Sequence, residues 1–339
     1  MTSPDSWTAL LSAFRALGGV AHNLTLGDGS HGRALVPVDS QQPVRLFVPA
    51  PMLVPTTETE LDSDGDLVVR PESALPQPLQ RFFADYQRTV GWSAGGRTAT
   101  QQERAWIHAL PAPLRETLTG EAHLGWMFEP EDEQALLQRF IHARHIDWNG
   151  RPVFMPMMDL VNHDWRAKNY GFGADGLTIE GTFPEGEVLV CYNLLDPWQR
   201  FIRYGFVSEE RHAFSIPLAV RTPQGTLTVG AEPGQSRTRA GLLFPNVRRS
   251  GADITLTHLM LGDRLEPEAP KSIFLALARE GQIAQPILLF ERIAHINRLF
   301  FLKLLRLAEG GGEATERFRT LLRLQLEALS HSVGAREIA

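Results

Sequence analysis

A single cysteine, Cys191, stands among 339 residues, which excludes an internal disulfide and a cysteine-rich metal site. Its setting, VLVCYN, is strand-like and predicts a buried apolar thiol. The chain also lacks a basic excess. Its 33 Lys and Arg face 39 Asp and Glu, a formal charge of −6, so counterion release cannot drive nucleic-acid binding as a main role. No run approaches the ~20 apolar residues of a bilayer span. The most apolar stretch, RLFFLKLLRL, is interrupted by Lys303 and Arg306. The opening MTSPDSWTALLSAFRALGG carries an early Asp5 and a broken apolar pattern, unlike a secretory signal. These absences together predict a cytoplasmic protein with neither a membrane nor a nucleic-acid partner. The signatures GxxxxGK[ST], HExxH and GxSxG are missing as well. None of the eleven histidines pairs with another at ligand spacing beside carboxylates, and His142 with His145 reads as a solvated helix end, so no metal is expected.

What is present is enough for a sizeable core: 43% of residues are hydrophobic and 21% charged. The length suggests two or three domains. Residues 5–17 read as an amphipathic helix stopped by Gly18-Gly19, and 20–50 as short β-hairpins broken by Gly, Asp and Pro. From about 74 to 145 apolar residues recur at three- and four-residue spacing, a helical pattern. β character returns over 151–220. A Gly/Pro/Arg-rich stretch then leads into helices, of which ILLFERIAHINRLFFLKLLRLAE is apolar around much of its circumference and reads as a core helix. The order β, helical insert, β, helical tail implies an α+β fold, neither a doubly wound sheet nor a simple bundle.

A scattered polar set lies in the parts read as β: Arg144, then Asp159, Asn162 and His163 in PMMDLVNH, then Tyr170, Tyr192 and Tyr204. Only four tyrosines occur, and Tyr86 is the one outside this segment. Taken singly, each has an ordinary reading. Buried tyrosines fill cores, and Asn or His at a strand end caps backbone groups.

Taken together, NH, a tyrosine soon after, EGEVLVCY and YGF resemble the SET-domain protein methyltransferases, in particular the branch containing the Rubisco large-subunit lysine methyltransferase. The resemblance implies a β-rich SET domain over 1–222, interrupted by a helical insert at about 74–145. A mainly helical, substrate-binding-like domain over 223–339 would follow. It implies S-adenosyl-L-methionine as cofactor, with His31, Gly32 and Arg33 in a glycine turn against it and Ala34 where a second glycine is common. Arg144 would face the cofactor carboxylate, and Asp159, Asn162 and His163 would belong to its pocket. Tyr170 and Tyr204 match active-site tyrosines. Tyr204, the catalytic candidate, would also touch the cofactor, while Tyr170, Tyr192 and Phe214 would line the substrate channel. Asn193 replaces the commoner glycine after Tyr192, and Phe214 stands where relatives often carry tyrosine, leaving more room for a methylated amine. The implied reaction is methyl transfer to a lysine of a protein substrate. A protein histidine, a small-molecule acceptor, and a non-catalytic SET-like binding module remain as alternatives.

Overall fold

The computed structural model describes residues 4–30, 32–121, 128, 132–230, 237–239, 242–309 and 312–331. Helices lie at Pro4–Ala16 (α1), Gln77–Thr89 (α2), Arg97–His108 (α3), Ala112–Thr119 (α4), Glu133–Arg144 (α5), Pro197–Tyr204 (α6), Ala269–Glu280 (α7), Pro286–Leu307 (α8) and Glu313–Ser330 (α9). Strands fill much of the rest, and the fold is α+β. The chain forms two compact units, residues 1–105 with 129–192, and residues 106–128 with 193–339. Residues 106–128 of the insert and the segment 193–222, which the resemblance groups with the SET domain, fall in the second unit.

In the first unit an antiparallel sheet runs in the order Val20–His22, Val44–Pro49, Gly176–Gly181, Gly171–Gly173. Its central strand alternates as a half-buried strand should. Val44, Leu46 and Val48 are buried while Arg45 is exposed. α2 buries Leu79, Phe82, Phe83 and Tyr86, a stripe at three- and four-residue spacing. Phe83 meets Phe154 with ring centroids 5.6 Å apart, and Phe14 lies 6.0 Å from Phe82, so α1 and α2 share one apolar core. α5 begins at a sequence-encoded cap, where the Asp132 carboxylate accepts from Ala135 N at 2.7 Å.

The second unit joins α7, α8 and α9 to a sheet ordered Leu218–Arg221, Thr226–Val229, Asp253–Leu256, Val247–Ser250. The Gly/Pro/Arg-rich stretch is therefore partly β and not simply a lead into helices. Its strands are only three or four residues long, too short for their alternation to stand out between Gly, Pro and Arg. α8 also departs from the expected all-round core helix. It buries one stripe, Leu289, Phe290, Ile293, Asn297, Phe301 and Leu304, while Leu288 is 60% and Leu299 52% exposed. Buried Asn297 is fully used. Its Oδ1 accepts from Ile216 N (2.8 Å), and its Nδ2 donates to Ser215 Oγ (3.0 Å) and Ile293 O (2.9 Å). Among the described residues, no helix is long and apolar enough to cross a membrane.

Candidate functional site

In the first unit the polar residues of PMMDLVNH sit on a tightly anchored turn. Met155, Met157, Met158, Leu160 and Val161 are buried and fix the segment. A 3₁₀ turn over Met158–Leu160 follows Met157, whose φ of 74° and ψ of −40° are costly for a side chain with a Cβ, about 1–3 kcal/mol. This strain is held at the entrance to Asn162-His163, a two-residue strand parallel to Leu189–Val190. The Tyr86 hydroxyl donates to the Asp159 carboxylate, and Arg144 Nη1 donates to the Asp159 carbonyl oxygen at 3.2 Å. Burial raises the Asp159 carboxyl, opposed by the nearby Arg144 charge and the Tyr86 hydrogen bond. Burial and the adjacent Asp159 together push the Tyr86 phenol well up, so it stays a donor. Tyr86, left outside the sequence set, is thus the direct partner of one of its members. Its place on the buried stripe of α2 was the available signal, since a buried phenol needs a hydrogen-bond partner.

Arg144 ends α5 and lies over the Phe140 ring, 4.9 Å from its centroid. Its bond to the Asp159 carbonyl engages Nη1 and leaves the rest of the guanidinium fork for a further acceptor. His163 is 4% exposed, and its Nδ1 accepts from Tyr192 N at 3.2 Å, which places the ring hydrogen of the neutral imidazole on Nε2. The His163 and Tyr192 rings are 5.2 Å apart. Tyr170 stacks on Tyr192 at 6.1 Å with an interplanar angle of 11°, and the Tyr192 hydroxyl donates to Val161 O.

Asn162 Nδ2 donates to Glu187 Oε1 at 2.7 Å, and Ser30 N donates to Glu187 Oε2 at 2.9 Å. One carboxylate therefore ties the tip of the hairpin Leu24–Gly29/Gly32–Pro37 to Asn162. The hairpin is built to let it approach. A Cβ on Gly29 would lie 2.1 Å from Glu187 Oε1 and 2.7 Å from the Ala34 methyl. Ala34 thus packs into space that Gly29 vacates. Gly32 has a φ of 96°, which favours glycine, with nothing within 4 Å of where a Cβ would stand. The Arg33 guanidinium is engaged with carbonyls beyond α2, Val90 O at 2.8 Å and Ala94 O at 3.2 Å. His31 lies outside the described residues. The first unit therefore gathers Arg144, Asp159, Asn162, His163, Tyr170 and Tyr192, adds Tyr86 and Glu187, and sets Gly32 at the linked hairpin tip.

Tyr204 and Phe214 belong to the second unit. Tyr204 is not in β structure, as the sequence reading had it, but is the last residue of α6. The helix signals are local: Asp196 at the N-cap, Pro197 at the first turn, and Gly205 at φ 77° after the end. Only eight residues long, α6 is too brief for its periodicity to outweigh the flanking β-prone runs. The Asp196 carboxylate accepts from Gln199 N (2.7 Å), Phe214 N (2.9 Å) and Gln325 Nε2 (2.8 Å). Burial pushes it up to about 6 in spite of these donors.

Beneath Tyr204 lies a buried ion pair. Arg200 and Glu210 have side-chain exposures of 0% and 1%, with Nε 2.9 Å from Oε1. The Arg200 guanidinium also donates to Asn193 Oδ1 (2.8 Å) and Asn193 O (2.9 Å), and lies 5.2 Å from the Tyr204 ring centroid. Asn193 Nδ2 donates to the Tyr204 hydroxyl at 2.9 Å. Phe214 is 1% exposed and packs with Leu243 and Met260, its ring 5.5 Å from that of His258. Burial lowers His258 to about 4. Among the described residues, no group of three or more His, Cys, Asp or Glu could hold a metal ion.

No family model matches the chain, and no curated protein matches it either. Similar solved structures include the SET domain of LSMT bound to lysine and AdoHcy, 13% identical at a TM-score of 0.42, over 96% of this chain and 89% of that one. Two more are Rubisco LSMT bound to AdoMet and Rubisco LSMT bound to sinefungin and monomethyllysine. Each is 12% identical with a TM-score of 0.44, over 97% of this chain and 90% of the other.

Proposed function

We propose that the chain is an S-adenosyl-L-methionine-dependent methyltransferase of SET type, whose acceptor is a lysine amine of a protein substrate. The observation that supports this reading most strongly is the gathering of Arg144, Asp159, Asn162, His163, Tyr170 and Tyr192 in the first unit. Arg144, the stretch 159–163, Tyr170 and Tyr192 come from four separate places in the sequence.

The donor set suits the cofactor. Arg144 retains guanidinium N–H groups in a planar fork, suited to a carboxylate. Asn162 offers an amide oxygen for the polar edge of an adenine, with buried His163 beside it. Gly32 leaves open space where a side chain would stand. S-adenosylmethionine, when bound, supplies an electrophilic methyl carbon on a sulfonium. The protein's own part is position and electrostatics, with no metal called for. Tyr204 orients the amine. The amine must be uncharged to act as a nucleophile, although its ordinary pKa is ~10.4. Apolar walls such as Phe214 disfavour the ammonium form and release its proton to solvent. The N-terminal 222 residues carry this chemistry in the proposal, and residues 223–339 dock the protein substrate.

Calorimetry tests the cofactor half. The wild-type protein is expected to bind S-adenosylmethionine, and Asn162→Ala to bind it at least tenfold more weakly while it still unfolds cooperatively. No binding to the wild type, or equal binding by both, contradicts the assignment.

A further inference from the structure

Asn193 stands where the resemblance calls for glycine, and a glycine could make neither of the side-chain bonds seen there. The orientation of its amide is fixed by chemistry. Arg200 Nη1, 2.8 Å from Asn193 Oδ1, is a donor with no acceptor capacity, so the oxygen of the amide must face it. The NH₂ group therefore faces Tyr204, and the 2.9 Å contact is an N–H donated to the phenolic oxygen. Arg200 is in turn held by Glu210 through Nε (2.9 Å) and Nη2 (3.3 Å), and Glu210 accepts from Ser208 Oγ at 2.6 Å. A chain of hydrogen-bonded groups thus runs from buried Glu210 and Arg200 through half-buried Asn193 to a single oxygen.

Such a chain is more than packing. Arg200 is 0% and Glu210 1% exposed, and burying two charges is costly unless their geometry is tightly defined. Tyr204 is also the last residue of α6, where helix ends fray, so its ring needs an external hold to keep one position. The Arg200 and Arg203 guanidiniums lie 5.2 and 5.6 Å from the ring centroid and hold the ring, while Asn193 holds the oxygen.

We infer that Asn193 is a positioning residue for methyl transfer. It donates to the Tyr204 hydroxyl and fixes that oxygen where it accepts an N–H of the methyl-accepting amine. This inference rests on the methyltransferase reading. Tyr204 would be the group that meets the substrate, and Asn193 would act only through it. A tyrosine held loosely costs rate and not cofactor affinity, because displacement of about 1 Å at a reacting centre can cost 100-fold.

The test is a double-mutant cycle with a spectroscopic arm. Asn193→Ala should lower kcat by roughly 10- to 100-fold, with the S-adenosylmethionine dissociation constant within twofold of wild type. In a Tyr204→Phe background the same change should lower kcat less than twofold, because the group it positions is already gone. A general structural role would instead lower kcat equally in both backgrounds, and that result overturns the inference.

Should Asn193→Ala fold poorly, Asn193→Asp keeps an oxygen for Arg200 and reverses the bond, making the Tyr204 hydroxyl the donor. With only four tyrosines, ¹³Cζ-tyrosine labelling gives countable resonances, and the one missing in Tyr204→Phe is that of Tyr204. Asn193→Asp should move that resonance more than the other three. An unmoved Tyr204 resonance overturns the inference by itself. Wild-type protein without methyl transfer overturns the functional reading and the catalytic half of this inference with it, while the resonance still decides the hydrogen bond.

Discussion

The buried pair beneath Tyr204 gives the sharpest stability prediction. In Glu210→Ala, Arg200 loses two hydrogen bonds, at 2.9 and 3.3 Å, and keeps those to Asn193 Oδ1 and O. Its guanidinium, 0% exposed, then loses the carboxylate 2.9 Å from its Nε. Breaking a buried pair by removing one partner costs about 3–5 kcal/mol. For a domain of 150–250 residues each kcal/mol moves Tm by about 2–4 °C, so the loss is roughly 6–20 °C. Removing both charges, in Arg200→Met with Glu210→Ala, also removes the desolvation burden. The double variant should therefore be more stable than the sum of the single effects predicts, by at least about 1 kcal/mol. Scanning calorimetry of the wild type, both single variants and the double variant reads this directly. A Glu210→Ala change within about 1 kcal/mol of wild type, or strict additivity of the two changes, would refute the reasoning.

Two further outcomes follow from other buried polar groups. Tyr86→Phe removes the hydroxyl that donates to the buried Asp159 carboxylate and should cost about 1–3 kcal/mol in urea unfolding; a neutral effect would show that Asp159 is satisfied without it. His258 is fully buried, and its folded value is lowered from 6.5 to about 4. The folded state therefore resists taking up a proton that the unfolded state accepts. Its stability is unaffected above pH 6.5 and falls by about 3 kcal/mol as pH drops from 6.5 to 4. His258→Gln should flatten that part of the stability curve, and identical slopes for the two proteins would contradict the burial argument.

Much of this architecture was legible in the amino-acid order because local and global signals agree. The 24–37 hairpin is marked by Gly29 and Gly32, and the insert by helical spacing such as Leu79, Phe82, Phe83 and Tyr86. Cys191 lies buried at 1% exposure, as its apolar setting implied. What escaped was short or non-local. α6 spans two turns, and its cap signals were outweighed by β-prone neighbours. The strands between 218 and 263 are too brief to show a period. Glu187 reaches both Asn162 and Ser30, which lies 157 positions away, a pairing no local pattern reveals. Asn193 was visible as a departure from the expected glycine, but what it does depends on Arg200, a helical turn and more further along.

The central claim is methyl transfer that needs the Tyr204 hydroxyl. Purified wild-type and Tyr204→Phe proteins, incubated with methyl-labelled S-adenosylmethionine and a cell lysate, should differ by at least 100-fold in label on protein lysine, read by mass spectrometry. Both should bind the cofactor alike. Equal labelling by the two proteins, or none by the wild type, would contradict the account.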